Sequence, residues 1–215
     1  GGVTLVSGAE TAEAAGADGI TAHLREDRRH IQDKDIEALM DALTVPLNFE
    51  IAATVEMQAI ALRLKPHAVC IVPEKREERT TEGGLEIAAD QSRLADFIIP
   101  LSEMGCRVSL FVEADERQLE ACVGVGAPVV ELHTGAYCDF HAKGDIRATD
   151  DELKRIMRCA AFADELGLEV HAGHGLTFGN VGPIAALSEV AELNIGHFLI
   201  GEAVFMGLEP AIVEM

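Results

Sequence analysis

Tryptophan is absent from the chain and tyrosine occurs once, at Tyr137, so there is no aromatic platform on which nucleic-acid bases would stack. Basic residues are scarce as well: 17 Lys and Arg against 37 Asp and Glu leave a formal charge of −20. Such a field repels phosphate backbones and anionic membrane surfaces unless a local cation cluster overrides it, which argues against nucleic-acid and membrane partners. The five cysteines (Cys70, Cys106, Cys122, Cys138, Cys159) form no Cys-x-x-Cys pair. Their odd number and scatter exclude a zinc ribbon or a disulfide framework and fit a reducing cytoplasm. No apolar run approaches the roughly 20 residues of a membrane span, and no secretory leader is visible. A Gly-x-Gly-x-x-Gly turn, the mark of an open dinucleotide-binding sheet, is also missing.

What is present reads as one globular domain over residues 1–215, with 48% hydrophobic and 25% charged residues. Short apolar runs alternate with longer amphipathic stretches. The runs are Gly19–Leu24, Val45–Ala52, Ala68–Pro73, Arg107–Val112, Pro128–His133, Glu169–Ala172 and Phe198–Gly201. Each has the length and β-branched content of a strand covered on both faces. Helices are expected at Asp33–Leu43, Val55–Leu64, Leu85–Met104, Glu116–Val125, Asp150–Leu166 and Pro183–Leu193. In the first of these, Ile36, Leu39, Met40 and Leu43 form a single apolar stripe. Asp115 and Thr149 are N-cap types, and Gly105, Gly126 and Gly167 stand where helices should stop.

Alternating β and α with short connections implies a parallel sheet. Polar residues recur at the C-terminal ends of the strand candidates: His23 and Arg25, Glu50, Glu74, Glu131 and His133, His171 and His174. Convergence of such residues at one end of many strands is how a barrel presents its catalytic face. The expected fold is therefore an α/β (β/α)8 TIM barrel with extra helices. Its seven strand candidates predict that the first strand lies outside the given sequence.

Three arginines and two histidines fall between His23 and His30, the strongest basic patch in an acidic chain. It suits an anionic group such as phosphate, or else forms surface pairs with Glu26 and Asp27. Glu50, in an otherwise apolar strand, needs a partner: it is either a general base of raised pKa or half of an ion pair. Glu131 and His133 share one strand face, and His171-Ala-Gly-His174-Gly175 ends the next strand. A metal on His171, His174 and a carboxylate is conceivable, but the His-x-x-x-His helical spacing of zincins is absent. Asn194-Ile-Gly196-His197 precedes the last strand candidate, where late-barrel loops commonly hold phosphate on backbone N–H groups. The polar stretch around Thr80-Thr81-Glu82-Gly83-Gly84 has the composition of an active-site loop. A rival reading, a Schiff-base aldolase, would use Lys75, the one strand-adjacent lysine candidate.

The strings AGADGITAHLREDRRHI, VPEKREERTTEGGL, ELHTGAY, HAGHGLTFGNV and ELNIGHFLIGEAVFMGL resemble the pyridoxine 5′-phosphate synthase family from about residue 9 onward. The resemblance implies a (β/α)8 barrel that condenses 3-amino-2-oxopropyl phosphate with 1-deoxy-D-xylulose 5-phosphate to pyridoxine 5′-phosphate, phosphate and water. By motif it implies His23 and Glu50 as proton acceptors, His174 as proton donor and Glu131 as the transition-state stabiliser. It further implies that Arg25, His30 and Thr80 hold the deoxyxylulose phosphate, and that Gly175, Gly196 and His197 hold the aminoacetone phosphate. Neither metal nor cofactor is implied. The implied partners are two small phosphorylated substrates and further copies of the chain, as a homo-oligomer, commonly an octamer. The family's Asn-x-Asp-His motif on the first strand and a following phosphate-gripping Arg are not found in this sequence.

Overall fold

A computed structural model describes residues 4–75 and 83–215. Seven parallel strands run in sequence order across one sheet: β1 Ile20–His23, β2 Leu47–Ile51, β3 Ala68–Ile71, β4 Arg107–Val112, β5 Val129–His133, β6 Glu169–Gly173 and β7 Val190–Asn194. Helices connect them: α1 Leu5–Ala14 precedes β1, and α2 Asp33–Ala42, α3 Val55–Leu64, α4 Gln91–Glu103 and α5 Glu116–Gly124 follow β1 to β4 in turn. After β5 come α6 Gly135–Ala142 and α7 Ile146–Glu165, then α8 Val181–Ala185 after β6, and α9 His197–Met206 with α10 Leu208–Glu214 after β7.

The sheet curls until its two edge strands meet through side chains, Thr21 Oγ1 of β1 donating to Asn194 Oδ1 of β7 at 2.6 Å. This is the TIM-barrel-like architecture expected from the βα alternation. The period of two sorts the side chains. Phe49, Ile51, Val69, Ile71, Val108, Leu110, Val130 and Leu132 are buried, and they form one apolar core with Ile36, Met57, Leu94, Leu101, Leu119 and Ile156 from the helices. The alternate positions, including Asn48, Glu50, Cys70, Ser109, Glu131, His171 and Asn194, carry the polar side chains of the barrel interior. All five cysteines are buried free thiols.

Helix α3 has the predicted limits, and Thr54 caps it by accepting from the Met57 amide. Asp115 caps α5 through the amides of Arg117 and Gln118, while Gly126 and Gly167 take the left-handed conformation that ends α5 and α7. Two expectations fail near the C-terminus. Phe198–Gly201 is not a strand but the first turns of α9, and β7 lies at Val190–Asn194, overlapping the end of the Pro183–Leu193 stretch expected to be helical. A short apolar run does not distinguish strand from helix, and length arbitrates. The apolar character continues through Met206, too long for a strand, whereas α8 stops at Ala185 and leaves the alternating Val-Ala-Glu-Leu-Asn free to pair with β6. Helix α7 also starts earlier than expected. Asp145 is its cap, and Thr149 sits inside the first turn with its hydroxyl on the Asp145 carbonyl. Among the described residues no helix is long and apolar enough to cross a membrane.

Candidate active site

The strands and the turns that follow them carry the candidate ionisable residues. His23, last in β1, lies between two carboxylates: Nε2 is 2.9 Å from Glu74 and Nδ1 is 3.7 Å from Glu50. Glu74, after β3, is a hub. Its carboxylate also accepts from the Glu26 amide at 3.1 Å and pairs with Arg25 at 3.8 Å. Glu50 is registered with His23 on one side and Cys70 on the other. Burial pushes its carboxyl pKa up, with His23 pulling the other way.

Glu131, on β5, is buried deeper. Burial first, then the charges of Glu50 and Glu192, hold its pKa well above the ordinary carboxylate range, only partly offset by Cys70 and by Asn194, whose Nδ2 donates to Oε2 at 3.0 Å. A carboxyl whose proton is held more tightly in this way is suited to donate a hydrogen bond as well as to carry charge. The space Glu131 occupies exists because residue 173 is glycine: a Cβ there would stand 2.2 Å from Glu131 Oε1. The Cys70 thiol, 3.7 Å from Glu131, is pushed up by burial and by the two carboxylates. Glu50, Cys70 and Glu131 place one donor atom each within 4.8 Å of one another, the one group among the described residues with metal-ligand spacing. A metal there would compete with the protons of the Cys70 thiol and the Glu131 carboxyl, whose affinities burial raises.

His174, in the turn after β6, adopts φ 81°, and its ring packs 5.0 Å from His133 and 6.2 Å from Phe111. His171, by contrast, is turned to Glu169 at 2.7 Å and to Glu192 at 3.3 Å. The two histidines therefore serve different surroundings. Gly173 pairs with Asn194, so the loops carrying Gly175 and Gly196-His197 leave adjacent strands at the same end of the barrel. Gly196 is the N-cap residue of α9 and His197 its first residue.

The basic patch divides. Arg28 is bound to Asp33 and Glu56, and Arg29 to Asp27, as surface pairs. Arg25 differs: its Nε is buried without a hydrogen-bond partner among the described residues, and its contacts to Asp27 and Glu74 are 3.6 and 3.8 Å. A buried guanidinium donor left over in this way suits an incoming anion. His30 is exposed in the loop beyond. Thr80 lies outside the described residues. Lys75 is 58% exposed and paired with Glu26 at 3.2 Å, unlike the desolvated amine a Schiff base needs.

Sequence reasoning noted Glu74 and His133 only as polar strand ends and missed Glu113. Glu113 is 4% exposed and bonds His133 Nδ1 at 2.8 Å and the Gly84 amide at 2.9 Å. A carboxylate directly after the apolar run of β4 was the available signal.

The family model for the pyridoxal phosphate biosynthesis protein PdxJ matches residues 4–215. The chain belongs to this family, the pyridoxine 5′-phosphate synthases. It is 70% identical to the pyridoxine 5′-phosphate synthase of Ruegeria pomeroyi over 210 residues, 98% of this chain and 85% of the relative. Identity is 71% over 207 residues with that of Roseobacter denitrificans, covering 96% of this chain and 83% of the relative. The family resemblance read from the motifs is thus confirmed, and with it membership in a family of biosynthetic enzymes. Among solved structures, phosphoribosyl anthranilate isomerase from Thermus thermophilus superposes with a TM-score of 0.62 at 15% identity, covering 99% of this chain and 92% of that one. KGPDC from Streptococcus mutans gives 0.65 at 12%, covering 97% and 89%. At such identities these likenesses establish the barrel fold alone.

Proposed function

We propose that this chain condenses 3-amino-2-oxopropyl phosphate with 1-deoxy-D-xylulose 5-phosphate, releasing pyridoxine 5′-phosphate, inorganic phosphate and, by atom balance, two waters. The observation that carries this reading is the approach of Glu50, Cys70 and Glu131 to within 4.8 Å of one another, with His23 bridging Glu50 and Glu74 beside it. Amine and ketone first join as an imine with loss of water. Phosphate elimination, water addition and an aldol-type ring closure with loss of two further waters complete the pyridine. Each step moves a proton, and groups with separated proton affinities in one pocket suit that sequence. Glu50 and His23 act as proton acceptors, protonated Glu131 donates to developing negative charge, and His174 returns a proton to the leaving group.

Two phosphates need two anion sites. The unsatisfied Nε of Arg25 supports one, with His30 and Thr80 as its further members. The first turn of α9, where Gly196 offers no capping side chain, supports the other with Gly175 and His197. The apolar side chains of Ile200, Val204 and Phe205 on α9 are 61%, 79% and 88% exposed, which supports an assembly of several copies. Glu50→Gln and His174→Asn each test the roles: turnover should fall while phosphate binding persists, and normal turnover in both would overturn the assignment.

A further inference from the structure

The strand end His133-Thr134-Gly135 lies against His174 along its whole length. Thr134 is fully buried, and its hydroxyl lies 2.8 Å from the Gly173 carbonyl and 2.7 Å from that of His174. Its amide also donates to Gly173 O at 2.9 Å. The backbone that this grip holds is strained, because φ 81° is rarely adopted by a residue with a side chain and persists only where neighbours enforce it. The His133 ring packs on the His174 ring, with Phe111 edge-on to both. His133 is itself fixed by Glu113, which Arg155 of α7 pairs with at 3.5 Å. Gly135 completes the arrangement: a Cβ there would meet His133 Nε2 at 2.5 Å and His174 Cδ2 at 3.3 Å.

We propose that Thr134 and His133 are positioning residues that hold the strained His174 turn so that its imidazole is fixed over the substrate site. Neither is needed to touch substrate; both act through His174. This rests on the reading of His174 as proton donor, and the test separates the two. Thr134→Val keeps shape and removes the hydroxyl. It should lower kcat roughly ten- to hundredfold, the cost of a displaced catalytic group, with KM for both substrates nearly unchanged. Thr134→Ser should restore kcat. In a His174→Asn background the same Thr134→Val change should have no further effect, since the group it positions is gone.

A second readout is independent of turnover. In protein labelled with 15N-histidine, the His174 ring should give one sharp set of signals in wild type and in Thr134→Ser, and shifted or doubled signals in Thr134→Val. An equal loss of kcat from Thr134→Val with and without His174 would overturn the proposal, as would a Ser variant as impaired as the Val variant or His174 signals indifferent to the valine. Full turnover by His174→Asn alone would instead refute the donor role, and the ring signals would still decide the positioning.

Discussion

Replacing Gly173 with alanine probes how tightly the site is built. The φ of Gly173 is not in the left-handed region, so backbone preference does not forbid alanine there, and space alone decides. The added Cβ would lie 2.2 Å from Glu131 Oε1, 2.9 Å from the Asn194 carbonyl oxygen and 3.1 Å from Asn194 Cβ. The carboxyl can swing away, but it then loses the bond from Asn194, whereas the carbonyl belongs to the β7 backbone and moves only with the strand. Overpacking of this kind costs about 1–3 kcal/mol, and removing a glycine from the unfolded chain returns about 0.4–1 kcal/mol. A net loss of about 1–2 kcal/mol corresponds to a Tm lowered by about 2–8 °C in a domain of this size. Turnover should fall further, about a hundredfold, because Glu131 and Asn194 are displaced together. Scanning calorimetry and a product assay measure both. Unchanged Tm and unchanged turnover would show that the contact between β6, Glu131 and β7 is not the constraint described.

Three further outcomes follow from the same geometry. Glu131 binds its proton more tightly folded than unfolded, so its contribution favours the fold fully below the ordinary carboxyl value of 4.5 and is lost as pH rises towards the raised folded value. Glu131→Gln should therefore show a Tm that declines less than that of wild type between pH 5 and pH 8, and parallel declines would contradict the burial argument. Glu74→Gln removes the charge shared by His23 and Arg25, and should lower kcat and raise KM for a phosphorylated substrate together in steady-state assays. Phe205→Glu, on the exposed apolar face of α9, should reduce the mass found by sedimentation if that face joins copies of the chain.

The barrel was legible because its signals are local. Alternating runs of apolar residues gave six of the seven strands near their observed places, and Asp115, Gly126 and Gly167 end or start helices where their backbone chemistry demands. The seventh strand was not, because Phe198–Gly201 is more apolar than Val190–Asn194, and apolarity alone does not carry direction or period. The site divides in the same way. His23, Glu50, Glu131 and His174 stand out as ionisable residues at strand ends. Thr134 and Arg155 do not, since a buried hydroxyl and a helix arginine acquire their roles only from what the fold sets beside them. Arg28 and Arg29 looked equal to Arg25 in the sequence. Only the placement of Asp33, Glu56 and Asp27 takes them out of the site.

Incubating the protein with 3-amino-2-oxopropyl phosphate and 1-deoxy-D-xylulose 5-phosphate, with products followed by mass spectrometry and phosphate release, is the decisive assay. Pyridoxine 5′-phosphate and inorganic phosphate should form in equal amounts, and neither should form when either substrate is omitted. Failure to form pyridoxine 5′-phosphate, while a relative assayed in parallel does, would refute the proposed condensation.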